Sequence, residues 1–207
     1  MLDYVEVEQN TDEWLALRAG RLTSSKLGVV MAHYPKPFGE PAKAYAIDIA
    51  IEQITGKPIP GGFRNAHMDR GHEEEPLARM AYEDEMFCDV KNGGFYCNDF
   101  IGCSPDFNVD DDGLGEIKCV IPSVHYKRIK KGGIDTAYKW QCVGNMMFTG
   151  RDWLDFVSYC ASYPDDKKLF IHRISKSDHV DDYKSIINRI DEFKKLVDES
   201  KKQIEAS

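Results

Sequence analysis

The chain has no apolar run approaching the roughly 20 residues that a bilayer-spanning helix needs. Its first thirty residues carry Asp3, Glu6, Glu8, Asp12 and Glu13, where a secretory signal would have a basic start and an apolar middle. A cytoplasmic location without membrane attachment is therefore expected. Six cysteines are present, but none stands in a C-x-x-C pair or in Cys/His spacing suited to zinc. Runs such as Phe95-Tyr96-Cys97 and Val157-Ser158-Tyr159-Cys160 instead predict reduced core thiols. Positive charge is in short supply: 27 Lys and Arg against 35 Asp and Glu leave a net charge of −8. That balance argues against coating DNA by global attraction, yet a basic groove on an acidic body remains compatible with it. The densest basic run, Tyr126-Lys127-Arg128-Ile129-Lys130-Lys131, reads as a solvated helix face at least as readily as a phosphate-binding one. Internal repeats and dividing linkers are also missing, so 1–207 reads as one domain, long enough for a core without staples.

What is present divides into segments with recognisable periods. Asn10-Thr11-Asp12-Glu13-Trp14-Leu15 predicts a capped helix start, ending near Arg18 with Gly20 as its stop. Further helices are expected from Thr23-Ser24-Ser25, over Ala42–Thr55, and from Pro76, whose missing N–H suits a first helical turn. Gly56 to Met68 predicts a loop. Strands are expected over Gly94–Cys97, Phe100–Val109 and Leu114–Val120, with Asp111, Asp112 and Gly113 turning the chain between the last two. A short helix after Pro122, a helix over Thr136–Phe148 and strands over Trp153–Ser162 and Leu169–Ile174 follow. The last segment, Val180 to Ile204, predicts an amphipathic helix with Tyr183, Ile187, Ile190, Phe193 and Val197 on its apolar side. The order of elements implies an α/β or α+β protein with a mixed sheet.

The stretch DFNVDDDGLGEIKC, Asp106 to Cys119, concentrates the chemistry. Asn108, Asp110, Asp112 and Gly113 match four positions of a calcium loop, but Cys119 stands where the bidentate Glu belongs and the flanks read as strands. Asp110, Asp111 and Asp112 suit a solvated turn. With that turn in place, Asp106 and Glu116 fall opposite each other on antiparallel strands, and alternation puts Lys118 on the same face. Two facing carboxylates are unfavourable without a positive charge between them. The cluster reads either as a structural ion-pair network or as a site where carboxylates hold Mg²⁺ and the lysine orients or helps deprotonate a nucleophile.

Pro105-Asp106, nine residues, then Glu116-Ile117-Lys118 resembles the PD-(D/E)xK signature of metal-dependent nucleases. Trp14-x3-Arg18-x-Gly20-x2-Thr23-x-Ser25, Arg70-Gly71-x3-Glu75, Ser104-Pro105-Asp106 and Tyr138-x2-Gln141 are similar, in order, to motifs of the phage lambda exonuclease family of alkaline exonucleases and viral recombinases. The resemblance spans Trp14 to Tyr163. It implies an α/β PD-(D/E)xK core, restriction-endonuclease-like, with a mixed central sheet flanked by helices. It also implies a Mg²⁺-dependent 5′→3′ exonuclease on linear double-stranded DNA, with Mn²⁺ substituting, that releases mononucleotides and leaves 3′ overhangs. By the same resemblance the chain would form a homotrimeric ring, work with a single-strand annealing protein, and be of phage or prophage origin. Carried over residue by residue, Asp106, Glu116 and the Ile117 backbone carbonyl would hold the metal, and Lys118 would assist the attacking water. Glu75 would reach the site near the metal or water, with Glu73 and Glu74 as rival registers, and Gln141 would hold the site from a facing helix. Arg18, Ser25 and Ser104 would bind the 5′-phosphate. Each has a plainer alternative: a cap for Ser25, an ordinary strand residue for Ser104, a helix edge for Gln141, a stacking pair with Trp14 for Arg18.

Overall fold

The computed structural model describes residues 2–59 and 66–207. Strand β1 (Asp3–Val5) leads to α1 (Asp12–Arg18), whose N-cap Thr11 accepts a hydrogen bond from the Trp14 amide through its hydroxyl. Strand β2 (Leu22–Thr23) runs directly into α2 (Ser24–Met31), and α3 (Glu40–Thr55) follows. Helix α4 (Ala66–Met86) is longer than expected. Pro76 lies inside it and not in its first turn, and part of the expected loop, Ala66 to Met68, is helical. The rest of that loop from Pro60 to Asn65 falls outside the described residues. Next come β3 (Val90–Asn92), β4 (Phe95–Cys97), β5 (Ile101–Cys103), β6 (Phe107–Val109) and β7 (Gly113–Cys119). Helices α5 (Pro122–Lys131) and α6 (Lys139–Thr149), strands β8 (Trp153–Tyr159) and β9 (Leu169–Ser175), and helix α7 (Val180–Glu205) complete the chain.

The single strand expected over Phe100–Val109 is two strands in two different sheets. Strand β5 belongs to a four-stranded mixed sheet ordered β1-β4-β5-β2, and β6 to a five-stranded mixed sheet ordered β3-β6-β7-β8-β9. The break is Ser104-Pro105-Asp106. Pro105 has no N–H to give a ladder, and the chain passes so close to Gly93 that a Cβ there would sit 1.7 Å from the Pro105 carbonyl oxygen.

In the five-stranded sheet, β6 and β7 form an antiparallel hairpin, β7 and β8 run parallel, and β8 and β9 are antiparallel. Alternation sorts the side chains by face. Phe107, Ile117 and Val157 pack with Ala78 and Tyr82 of α4, whereas Leu114, Leu154 and Phe156 pack with Cys142 and Met146 of α6. A second core joins α2, α3, α6 and α7 through Leu27, Val30, Ile49, Val143, Ile190 and Phe193. On α7 the buried position is Ile186; Ile187, expected inside, is 48% exposed. All six cysteines are free, four of them buried, as the apolar runs predict. Among the described residues no helix is long and apolar enough to cross a membrane.

Candidate active site

The hairpin register pairs Phe107 with Gly115, which continues to Asp106 opposite Glu116. The exposed turn Asp110–Asp112 is held by Arg151, whose Nη1 donates to the Val109, Asp110 and Gly113 carbonyls. Asn108, a calcium ligand in the discarded reading, is buried. Its amide accepts from the Tyr96 hydroxyl and donates to the Asn92 carbonyl.

Glu116 is only 1% exposed, and its carboxylate is ringed by donors. Lys118 Nζ and, at 2.5 Å, Gln141 Nε2 both donate to Oε1, while Asn145 Nδ2 donates to Oε2 at 3.0 Å. Gln141 and Asn145 come from successive turns of α6, one above the other on its sheet-facing side. Behind them Ser24 Oγ donates to Asn145 Oδ1 at 2.5 Å. Asp106 Oδ2 accepts from the Ile117 amide at 2.5 Å, and the Asp106 carbonyl accepts from Arg79 Nη2 at 2.6 Å.

These groups perturb one another. Burial pushes the Glu116 carboxyl up to about 7, with the charges of Asp106 and Glu75 adding to the rise and Lys118 opposing it. Burial and then Asp106 likewise push Glu75 up to about 7. For Lys118, burial lowers the value, but Glu116 and Asp106 outweigh it and hold the ammonium above its ordinary range. Lys118 is thus a fixed positive charge facing the carboxylates. The coupling to Asp106 also separates Glu75 from its neighbours: Glu73 is exposed, and Glu74 lies 3.7 Å from Arg70 Nε.

A second polar group stands on α1 and α2. Arg18 Nη2 donates to Ser25 Oγ at 3.2 Å and reaches Thr23 Oγ1 at 3.5 Å, with its guanidinium 4.2 Å above the Trp14 ring. Ser104 does not bond Arg18. Its hydroxyl donates to the Gly94 carbonyl and accepts from Trp14 Nε1 at 3.1 Å, so Trp14 links the two. The structure therefore gathers Asp106, Glu116, Lys118, Glu75 and Gln141 in one place, and joins Arg18 and Ser25 to Ser104 through an indole.

A family model for the YqaJ-like viral recombinase domain matches residues 13–152. The chain belongs to this family. The alkaline exonuclease LHK-Exo from Laribacter hongkongensis superposes with a TM-score of 0.83 at 32% identity, covering 95% of this chain and 97% of that one. The same protein in complex with dAMP gives 0.82 at 32% identity and the same coverage. A phage-related exonuclease from Haemophilus somnus 129PT, at 16% identity and a TM-score of 0.68, covers 92% of this chain and 99% of its own and shares the fold. No curated protein matches significantly. The family and the 32%-identical exonuclease agree with the lambda-exonuclease-like reading of the motifs, and they make this chain a nuclease with that α/β fold.

Members of such a family imply a metal, and the donors here suit a hard cation. Mg²⁺ is usually held by one or two carboxylates with substrate phosphate completing its shell. Asp106 and Glu116 are the carboxylates that could do so. The Ile117 amide is turned toward Asp106, and in an extended strand the carbonyl of the same residue faces the same side. Among the described residues, no three His, Cys, Asp or Glu side chains already stand in a metal-holding arrangement. Glu116 is instead engaged by Lys118, Gln141 and Asn145. Burial first, and then the neighbouring carboxylates, raise the values of Glu75 and Glu116.

Asn145 and Ser24 are the site residues that the sequence reading missed. Asn145 stands four positions after Gln141, which on a helix is the next residue on the same face; that spacing was the available signal. Ser24 carried none, since its partner is 121 residues away. His125 is structural: its ring bonds Ser158 Oγ and the Lys167 carbonyl.

Proposed function

We propose that this nuclease is a Mg²⁺-dependent 5′→3′ exonuclease that degrades one strand of linear double-stranded DNA to mononucleotides and leaves 3′ single-stranded overhangs. The observation that carries the reading is the convergence of Asp106, Glu116, Lys118 and Glu75 at one end of the β6–β7 hairpin, with the Arg18–Ser25 group joined to it through Trp14 and Ser104. The likeness to an alkaline exonuclease that has been crystallised with dAMP, a deoxynucleoside monophosphate, supports a mononucleotide product.

Asp106, Glu116 and the Ile117 carbonyl are the groups that would hold Mg²⁺, with Glu75 beside them and Mn²⁺ expected to substitute. When bound, the ion polarises the phosphodiester and lowers the pKa of its water. Gln141 and Asn145 hold the Glu116 carboxylate in one orientation. Lys118, held protonated, presents a positive charge where the pentacovalent phosphate gathers negative charge, and it orients the water. Arg18 offers a planar fork that Trp14 holds in place, with Ser25, Thr23 and Ser104 as hydroxyl neighbours, which suits a terminal 5′-phosphate.

A homotrimeric ring around the duplex belongs to the same proposal, as does a single-strand annealing protein that takes up the exposed strand. A ring would let a chain of net charge −8 retain DNA with few phosphate contacts; sedimentation as a monomer at working concentration would exclude it. The deciding experiment is digestion of matched linear and covalently closed duplexes, with and without Mg²⁺, followed by product sizing. Mononucleotides from the linear form alone, lost at least about 10³-fold in Lys118→Ala, are expected. Cleavage of the circles would replace the exonuclease by an endonuclease.

A further inference from the structure

Between α4, the end of β7 and the start of α5 lies a cavity of about 360 Å³, bordered by Arg70, Cys119, Val124, Arg128, Asp135 and Tyr138. Its volume falls within the roughly 300–1,000 Å³ of ligand pockets. Arg128 belongs to the basic run that reads as a solvated face, yet it is only 5% exposed. Its guanidinium sits 5.4 Å from the Tyr138 ring centroid and 5.2 Å from that of Phe156. Nη1 donates to Ser158 Oγ at 3.3 Å, and Nη2 has only a loose approach to Asp135 at 3.8 Å. Nε is buried and has no hydrogen-bond partner among the described residues. The same is true of Arg70 Nε, also on the lining, whose ion pair with Glu74 is 3.7 Å long.

Two arginines with incompletely paired guanidinium groups on the lining of one cavity point to an acceptor that is negatively charged. The start of α5 adds to this: its N-cap Ile121 makes no side-chain cap bond, so the positive end of the helix is uncompensated there. The cavity also adjoins the catalytic residues, because Lys118 Nζ lies 5.1 Å from the centroid of the Tyr138 ring that Arg128 covers. We propose that this cavity is an anion site, and that it takes a backbone phosphate of the strand being degraded, next to the scissile bond and distinct from the 5′-phosphate held at Arg18. Planar guanidinium groups are suited to phosphate oxygens, and Arg128 Nη2, only loosely paired with Asp135, is a donor left for one. Its identity as a strand phosphate rests on the nuclease reading; its identity as a phosphate site does not.

Two measurements separate these. The first is thermal melting in inorganic phosphate against chloride at matched ionic strength. It uses Arg18→Ala protein, to silence the other pocket, alone and combined with Arg70→Gln or Arg128→Lys. Phosphate should raise the midpoint of Arg18→Ala, and the rise should shrink in both combinations. Arg70, at 31% side-chain exposure, is the substitution that leaves the core intact if Arg128→Lys fails to fold. The second is duplex binding in EDTA as a function of salt, with otherwise wild-type protein carrying Arg70→Gln or Arg128→Gln. Loss of one phosphate contact should reduce the slope of log K against log salt by about 0.9. An equal phosphate effect in every variant overturns the site. Duplex binding with unchanged slopes overturns it too, while leaving the nuclease reading intact. A phosphate effect in a protein that binds no duplex overturns the strand as the source and the nuclease reading with it.

Discussion

Replacing Asn145 by Ala tests whether the donors around Glu116 belong to catalysis or only to the core. Asn145 is fully buried and connects Ser24 to Glu116. The substitution removes a bond to a carboxylate, about 1.5–3 kcal/mol, and a neutral bond from Ser24, about 0.5–1.5 kcal/mol. Together these come to about 2–4.5 kcal/mol. For a chain of this length about 1 kcal/mol moves Tm by about 2–4 °C, so a drop on the order of 5–15 °C is expected. Ser24→Ala removes only the outer bond and should cost about 1 kcal/mol.

Stability alone does not decide the role, because any buried amide would show it. The functional readout is the Mg²⁺ dependence of single-turnover cleavage. Losing the Asn145 donor withdraws support from the charged form of Glu116, whose carboxyl is already pushed up to about 7. Outer-shell partners of metal ligands are typically worth about 10–100-fold in affinity or activity. Asn145→Ala should therefore need more Mg²⁺ or turn over more slowly by that factor, with Ser24→Ala between it and wild type. A variant that melts lower but keeps the wild-type Mg²⁺ requirement and rate would refute the reasoning and leave Asn145 a core residue.

Arg18→Ala should abolish the preference for 5′-phosphate over 5′-hydroxyl ends in initial rates; an unchanged preference removes Arg18 from end recognition. In metal-free protein, Glu75 keeps its proton to about 7 when folded but only to its ordinary 4.5 when unfolded. Folding thus retains a proton between those values, and Tm should fall as pH rises through that window. Glu75→Gln should make this fall shallower, and an identical pH profile would show that Glu75 does not sense Asp106. Gly115→Ala places a Cβ 1.9 Å from the Phe107 ring in the hairpin that aligns Asp106 with Glu116. Overpacking of about 1–3 kcal/mol should appear as a lower denaturant midpoint, and wild-type stability would mean that the hairpin register yields freely.

The part of the site written within one hairpin was legible, and the part assembled across the chain was not. Alternation and a two-sided turn suffice to place Asp106, Glu116 and Lys118 on one face, because strand geometry acts over a few residues. The α1 cap was readable for the same reason. The division of Phe100–Val109 between two sheets was hidden. Pro105 allowed a break, but the partners that drew β5 and β6 apart are Leu22 and Thr23 on one side and Val90 to Asn92 on the other. Pro76 suited a helix start equally well, and only the turns of α4 before it place it inside. Arg128 looked like its lysine neighbours, since nothing local distinguishes a guanidinium that faces Tyr138 and Phe156 from one that faces water. Isoleucines 186 and 187 were separated only by the direction from which α3 and α6 meet α7.

The charge balance that argues against coating DNA by global attraction is resolved by placement. Asp110, Asp111 and Asp112 face solvent at the hairpin turn, while Asp84, Glu85, Asp165 and Asp166 border a different cavity. The cations to which the proposals assign phosphate or water are few and restrained: Arg18 on Trp14, Lys118 against Glu116, Arg128 near Tyr138 and Phe156. A restrained guanidinium loses little further freedom when it meets a phosphate. Around the carboxylates of the candidate site the choice is reversed. Glu116 is held mostly by neutral amides, which fix its direction without cancelling its charge, and Lys118 is the cation bonded to it. That leaves a net negative pocket with Glu75 and Glu116 both reluctant to ionise. A site neutralised by a second lysine would be more stable and would have little affinity for a divalent cation. The strain of like charges that a structural ion-pair network would have removed is what makes this cluster suited to chemistry.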